Sequence, residues 1–314
     1  MDHNNQKYKI VRASRENISA LSQLFLETKG INVPVDYLKS KFNTAYTGKT
    51  YFAHFAMTED NQPAAFFCLF PCFVLHNGSV ILAGQSADII THVSHQRKGL
   101  FSSLGKATEA LAQSEGMKIL FAFPNENSFP GFVRSLNWHH SSNFMIYRFK
   151  SNGIPFYRLL SKFRMNWIYT QFANLIKNKF KCDSDQFQGS IPRNLISSGY
   201  RNKDYYSYKK YNDSFFVHYR GLKFWCKIDV QLWIGDISID DNLSIDNVVT
   251  ILKKYTALLG LDEFVFEVSE GSFWDNLLRT IAVSTQGVPI VYKNLEDLDE
   301  SVSLEFTGGD IDVF

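Results

Sequence analysis

Thr91-His92-Val93-Ser94-His95-Gln96-Arg97-Lys98-Gly99-Leu100-Phe101 is the stretch on which the fold turns. Before it, Ser79–Ile90 reads as a strand. After it, Leu100, Leu104, Ala107 and Leu111 recur at helical spacing, and Gly116 supplies a C-cap. A glycine where a strand opens into a helix lets backbone amides converge, and the helix N-terminus adds positive potential. Arg97 and Lys98 contribute mobile charge. The combination suits a diphosphate. An ordinary strand-to-helix turn with exposed basic residues is the alternative that local features leave open.

Outward from the loop, the chain alternates helical and extended patterns. Tyr8–Arg12 alternates as a short strand, and Ser14 is read as the cap of a helix through Lys29. Val35–Phe42 is a second short helix, and Tyr51–Met57 and Ala64–Phe70 are strands. Ile119–Phe123 is a buried strand, Ser128–Leu136 a short helix and Phe144–Phe149 a strand. A helix is expected over Pro155–Lys181. Strands resume at Phe215–Tyr219, Lys223–Asp229 and Leu232–Ile239, followed by a helix from Ile245 that stops at Gly260. Phe264–Val268 is then a strand, Phe273–Leu278 a helix and Val288–Tyr292 a last strand.

The two halves resemble each other. Tyr51-Phe52-Ala53-His54-Phe55 echoes Phe215-Phe216-Val217-His218-Tyr219. In both halves a helix ends at glycine (Gly116, Gly260), a buried strand follows, and E-x-S-F opens the next helix at Glu126 and Glu270. Shared order and context argue for a degenerate internal repeat. His54 and Gly116 lie 62 residues apart, but His218 and Gly260 only 42, so the second copy lacks about twenty residues. The missing part is expected to be the loop.

Charge is divided unevenly along the chain. Residues 1–126 carry 12 basic and 10 acidic groups, residues 127–228 carry 17 and 4, and residues 229–314 carry 4 and 17. A net charge of +2 therefore hides a basic third and an acidic third. The polar start Met1-Asp2-His3-Asn4 is unlike a signal peptide, and the longest apolar run, Ala64–Leu75, is interrupted by Pro71. Four cysteines without a CxxC pair fit a reduced, cytoplasmic protein with no disulfide framework and no metal. Cys68 and Cys72 beside His54 or His76 match no zinc spacing and read as small buried hydrophobes. GxGxxG, the full P-loop, GxSxG and HExxH are all absent, which removes support for dinucleotide, triphosphate, common hydrolase and zinc-protease sites.

Gln96-Arg97-Lys98-Gly99-Leu100-Phe101 resembles the Q/R-x-x-G-x-G/A pyrophosphate loop of GNAT acyltransferases. Thr91-His92 before it, and Phe121-Ala122-Phe123-Pro124-Asn125, Ser128 and Leu136-Asn137-Trp138 after it, resemble the family's flanking segments over residues 8–149. The match departs at Phe101, where a small residue is expected, and at Val93, where proline is usual. The tandem layout is similar to acyltransferases that modify nucleotide-linked amino sugars for bacterial surface polysaccharide. The resemblance implies a mixed α/β fold of two tandem GNAT-like domains, the second degenerate and lacking the pyrophosphate loop. Expected ranges are 1–150 for the acyl-CoA domain, 151–200 for a linker with a helix, and 201–314 for the second domain.

By the same resemblance, amides of Gln96, Arg97, Lys98, Gly99, Leu100 and Phe101 present themselves to the coenzyme A pyrophosphate. Thr91, His92 and Val93 pair with the pantetheine arm, and Asn125 sits near the thioester. At the position where the family often carries a base this chain has Gln85, so Asp88, the only acid on that strand, is read either as the base or as a group hydrogen-bonded at the strand end. His92 is read as a proton relay or a structural histidine. The family's thiolate-protonating tyrosine falls at Phe132, leaving Tyr147 as a substitute or a core residue. Catalysis would then rest on positioning and oxyanion stabilisation.

The acceptor is expected to meet Gln85, together with His218, Tyr219, Trp225 and Lys227 of the second copy. The basic, aromatic connector Pro155–Lys181 reads as packing between copies, with an anionic membrane or nucleic acid as the other readings. The expected reaction moves a short acyl group, acetyl or a small hydroxyacyl, from coenzyme A to the amine of a nucleotide-linked, dTDP-type amino sugar. No nucleic-acid partner and no stable membrane insertion are expected. The alternatives are an aminoacyl-tRNA-dependent transferase of the tandem kind and a non-catalytic membrane-associated binding protein.

Overall fold

Alternating β-branched and aromatic runs form strands here, and the two amphipathic stretches that end at Gly116 and Gly260 form the longest helices of their halves apart from the connector. The computed structural model describes residues 7–187, 189–190, 197–238, 243–296 and 304–314. In chain order the first elements are β1 (Lys9–Arg12), α1 (Ser19–Lys29), α2 (Val35–Lys41), β2 (Ala53–Met57), β3 (Pro63–His76), β4 (Ser79–Thr91), α3 (Leu100–Ser114) and β5 (Ile119–Ala122). There follow β6 (His139–Lys150), α4 (Phe156–Lys162), α5 (Asn166–Phe180), β7 (Ser197–Gly199), α6 (Lys203–Tyr208), β8 (Phe215–Tyr219), β9 (Leu222–Ile228) and β10 (Leu232–Ile237). The chain ends with α7 (Ile245–Leu258), β11 (Glu263–Ser269), α8 (Phe273–Leu278), β12 (Thr285–Asn294) and β13 (Leu304–Glu305). The expected end of the third late strand, Ile239, lies outside the described residues.

The chain divides into two units: residues 1–141 with 288–303, and residues 142–287 with 304–314. These differ from the expected ranges. Residues 142–150 belong to the second unit, residues 151–200 are part of it rather than a separate linker, and residues 288–303 return to the first.

In unit 1 the strand order is β1-β2-β3-β4-β5-β12, with β4 and β5 parallel and β12 antiparallel to β5. One face packs α1 and α2 over Phe55, Phe66 and Phe70, and the other packs α3 over Phe52, Phe67 and Leu120. Unit 2 has the order β6-β11-β10-β9-β8. Its core gathers Phe224, Tyr255 and Phe266 under α5 and α7. The strand that follows β5 in the chain, β6, completes the sheet of unit 2, and the strand that follows β11, β12, completes that of unit 1. Each unit runs three antiparallel strands, a helix, then a parallel strand, so the order anticipated from the repeat is present in both.

Three local expectations change. Ser14 does not cap α1: its N–H donates to Asn17 Oδ1 at 2.8 Å in a preceding turn, and the helix starts at Ser19. β3 continues past Phe70 to His76, because Asn77 and Gly78, both at positive φ, make a two-residue hairpin into β4. The connector helix breaks into α4 and α5 at Phe163–Met165, where Arg164 has φ +56°.

Candidate functional site

β4 and β5 run side by side only from Ala83↔Ile119 to Ser86↔Ala122, after which β5 ends and β4 continues to Thr91. Among the described residues no strand pairs with the second half of β4 on the side that β5 leaves. An extra residue enters β4 there: Cys68 pairs with Ala87, but Phe66 pairs with Ile90. Asp88 lies in this bulge with φ +48°. Its carboxylate accepts an ion pair from Lys41 Nζ on α2 at 2.7 Å, and Lys41 is only 3% exposed. Lys41 also lies 5.1 Å from the Phe70 ring centroid. Asp88 is thus held by a buried cation at the strand's bulge. Lys41 went unnoticed in the sequence because it falls between Leu38 and Phe42 in an otherwise routine short helix.

Beyond β4 the His92 amide donates to the Ala64 carbonyl of the neighbouring strand at 2.9 Å. Strand alternation then turns the Thr91 backbone toward the edge left by β5. His92 Nδ1 lies 2.7 Å from Ser94 Oγ and accepts the Ser94 amide, closing a tight turn over Val93–His95. Tyr8 Oη and His95 Nδ1 are 2.8 Å apart, and Lys98 Nζ lies 5.9 Å from the Tyr8 ring centroid, so β1's neighbour pins the loop. Burial, then Lys98 and His92, hold the His95 imidazole below its ordinary value.

Arg97 (φ +60°) and Gly99 (φ +75°) are both left-handed, on either side of Lys98. Gly99 is the N-cap of α3 and brings no side chain to it, while the first intrahelical bond runs from the Ser103 amide to the Gly99 carbonyl. The amides from Gly99 to Ser102 therefore precede the helix ladder, at the positive end of a 15-residue helix. Gln96, Arg97, Lys98 and Gly99 are exposed, as an anion site requires. Leu100 turns inward, and Phe101 packs edge-on against Phe67 and Phe132. The Phe101 ring fits because Gly131 lacks a Cβ, which would stand 2.7 Å from it. That accounts for a large residue where the loop pattern has a small one.

Asn125 caps the turn after β5, its Oδ1 accepting the amides of Asn127 (3.0 Å) and Ser128 (3.1 Å). Phe132 is buried in the α3 face. Gln85 is 7% exposed and lies in register with Phe121, just before the two strands part. Gln85, Asp88, Thr91–Phe101 and Asn125 all lie in unit 1. The remaining expected residues belong to unit 2. His218 is exposed on β8, and Tyr219 packs 5.0 Å from Phe180 and 5.4 Å from Tyr255. Trp225 is 0% exposed and stacks on Phe216, so it is a core residue and not a ligand contact. Lys227 Nζ donates to the Val313 carbonyl at 2.7 Å. Tyr147 is buried, with its hydroxyl 2.6 Å from Asp275 Oδ1. Cys68 Sγ donates to the Ala87 carbonyl, and no group of three metal-ligating side chains occurs among the described residues.

Unit 2 has a matching opening, and the end of the chain fills it. β10 also carries one extra residue, Gly235, between Ile234↔Cys226 and Asp236↔Trp225. β10 and β11 pair only as far as Ile234↔Phe266. Past that point Thr307 bridges Val268 on β11, and its hydroxyl donates to the Gly235 carbonyl on β10. Phe306 N–H donates to Ser269 Oγ at 2.8 Å, and a Cβ at Gly308 would stand 3.2 Å from the Ile234 carbonyl. Arg201, 4% exposed in its side chain, locks the tail by donating to Asp310 Oδ1 (2.9 Å), Thr307 Oγ1 (2.7 Å) and Asp236 Oδ2 (2.5 Å). The helix that follows, α7, is capped by its own Ser244 side chain.

No protein-family model matches the chain, and no curated protein matches it. Solved structures of similar fold do exist. A GCN5-related N-acetyltransferase from Kribbella flavida aligns over 94% of this chain and 72% of its own, with TM-score 0.59 and 9% identity. One from Anabaena variabilis aligns over 92% and 73%, with TM-score 0.55 and 10% identity. One from Sphaerobacter thermophilus aligns over 94% and 98%, with TM-score 0.51 and 10% identity. The chain therefore has the mixed α/β, GNAT-like fold of the GCN5-related N-acetyltransferases.

Proposed function

We propose that the protein is an acyl-CoA-dependent N-acyltransferase that binds its donor on unit 1. The observation that carries this reading is the left-handed Arg97 and Gly99 at the start of α3, beside the edge of β4 that β5 has left. Amides from Gln96 to Phe101 would hold the pyrophosphate, with Arg97 and Lys98 neutralising its charge. The Thr91–Val93 backbone would pair with the pantetheine amides, and Asn125 would fix the turn beside them. Coenzyme A, when bound, supplies the acyl group as an activated thioester.

Within the pocket so formed, Gln85 and the neutralised Lys41–Asp88 pair would line the α1/α2 side, where the acceptor amine enters. No uncommitted carboxylate stands on that strand, so the amine would arrive neutral and lose its proton to solvent. This suits a weakly basic amine, and the acceptor we propose is a nucleotide-linked amino sugar, taking acetyl or a small hydroxyacyl group. Support for that acceptor comes from the likeness of the tandem layout to acyltransferases of nucleotide-linked amino sugars. Support for a single donor site comes from unit 2, whose equivalent opening holds residues 304–314.

Calorimetric titration with coenzyme A and acetyl-CoA tests the donor site. Wild type should bind both, and Gly99→Glu, which adds a negative side chain at the amide cluster, should not. Retained affinity in folded Gly99→Glu would overturn the reading. A mass-spectrometric screen of acyl-CoAs against nucleotide amino sugars tests the acceptor separately.

A further inference from the structure

The α4–α5 hairpin of unit 2 is two-sided. Phe156, Tyr157, Leu160, Ile168, Tyr169, Phe172, Ile176 and Phe180 pack into the unit's core. The other side leaves Ile154 (78% exposed), Phe163 (67%), Trp167 (70%) and Leu175 (71%) in solvent, with Leu159 and Met165 beside them. Phe163, Met165 and Trp167 alternate through the turn between the helices, with Arg164 projected among them at φ +56°. Large apolar side chains concentrated at a projecting turn mark an interaction surface.

The charge of this element is of one sign. No Asp or Glu occurs between Glu126 and Asp183, and residues 154–181 contribute Arg158, Lys162, Arg164, Lys177, Lys179 and Lys181. Arg158 is paired with Asp262, and Lys177 lies 4.5 Å from the Phe215 ring centroid. Lys162, Arg164, Lys179 and Lys181 are exposed, and no carboxylate lies within ion-pair distance of them among the described residues. An element that offers aromatic and aliphatic tips ringed by unpaired cations is complementary to an anionic lipid surface. Nucleic acid would use the cations and could stack on Phe163 and Trp167, but it offers nothing to Ile154, Leu159, Met165 and Leu175. At 15 residues α5 is too short to span a bilayer, and among the described residues no helix is long and apolar enough to do so.

We propose that the α4–α5 hairpin docks the protein peripherally on an anionic phospholipid membrane. Phe163, Met165 and Trp167 enter the headgroup boundary, and Lys162 and Arg164 pair with lipid phosphates. The inference is independent of the donor site.

Co-sedimentation of the full chain with vesicles tests it, comparing pure phosphatidylcholine with phosphatidylcholine containing 30% phosphatidylglycerol. Binding should be at least tenfold stronger to the anionic vesicles and should weaken with salt. The exposed-site variants Phe163→Ser/Trp167→Ser and Lys162→Glu/Arg164→Glu should each lower it at least tenfold, with unchanged thermal melting and unchanged coenzyme A titration. Equal binding to both vesicle types, full binding by either variant, or hairpin-dependent binding to RNA without vesicle binding would overturn the proposal.

Discussion

Lys41 Nζ stands 2.7 Å from Asp88 Oδ2, joining a buried helix lysine to the residue that bulges out of β4. The pair decides how the centre of unit 1 is read, because it commits the one carboxylate on that strand.

Removing one partner should expose the cost of burying the other. Asp88→Asn removes the carboxylate charge that faces the Lys41 ammonium, which is 3% exposed. A loss of about 3 kcal/mol in urea unfolding is expected. Lys41→Met combined with Asp88→Asn should recover most of it. A double variant no more stable than Asp88→Asn would contradict the pairing as the main contribution.

The contact between Phe101 and Gly131 makes a second prediction. Gly131→Ala should cost about 1–3 kcal/mol by pushing its Cβ into the Phe101 ring. Phe101→Leu in the same chain should relieve part of the penalty. Additive losses in the two changes would show that the ring is not what the glycine accommodates.

The tail in unit 2 admits no larger side chain at its narrowest point. A Cβ at Gly309 would lie 2.4 Å from the Trp225 ring and 3.0 Å from the Gly235 carbonyl. Gly309→Ala should destabilise the chain by about 3 kcal/mol, read by differential scanning calorimetry. An unchanged melting profile would mean that residues 304–314 leave the β10–β11 opening easily.

Acid should weaken unit 1 through His54. Its imidazole is held below the ordinary value by burial and then by Arg12. The Thr108 hydroxyl gives its proton to the Leu104 carbonyl at 2.8 Å, so His54 donates to it from Nδ1 at 3.0 Å. A depressed histidine takes up its proton in the unfolded chain first. The stability it contributes is present above about pH 6.5 and is lost as the pH falls through the folded value. The urea midpoint should therefore drop between pH 7 and pH 5, and His54→Gln should flatten part of that slope. An identical slope in His54→Gln would remove this histidine from the account.

Much of the element order was legible before the fold was known. The 3.6-residue period placed α3 and α7, their terminal glycines stopped them, and the strand-to-helix loop at Gly99 was readable from a glycine among cations. These are local properties, set by side-chain periodicity and by the conformations that glycine permits. The doubled element order was also visible, since two copies of one local pattern need no tertiary contact to be compared.

What the tertiary structure decided was partner choice. A strand's pattern says which face is apolar but not which neighbour it joins, so the exchange of β6 and β12 had no local signature. A bulge of one residue reassigns every face beyond it, and that is how Asp88 came to meet Lys41. The same limit hid the tail: Thr307-Gly308-Gly309-Asp310 reads as a polar chain end, and only the parting of β10 from β11 gives it a place. The sequence by itself determined the loop that could hold a diphosphate. That the chain's end enters the β10–β11 opening of unit 2 depended on contacts between residues far apart in the chain.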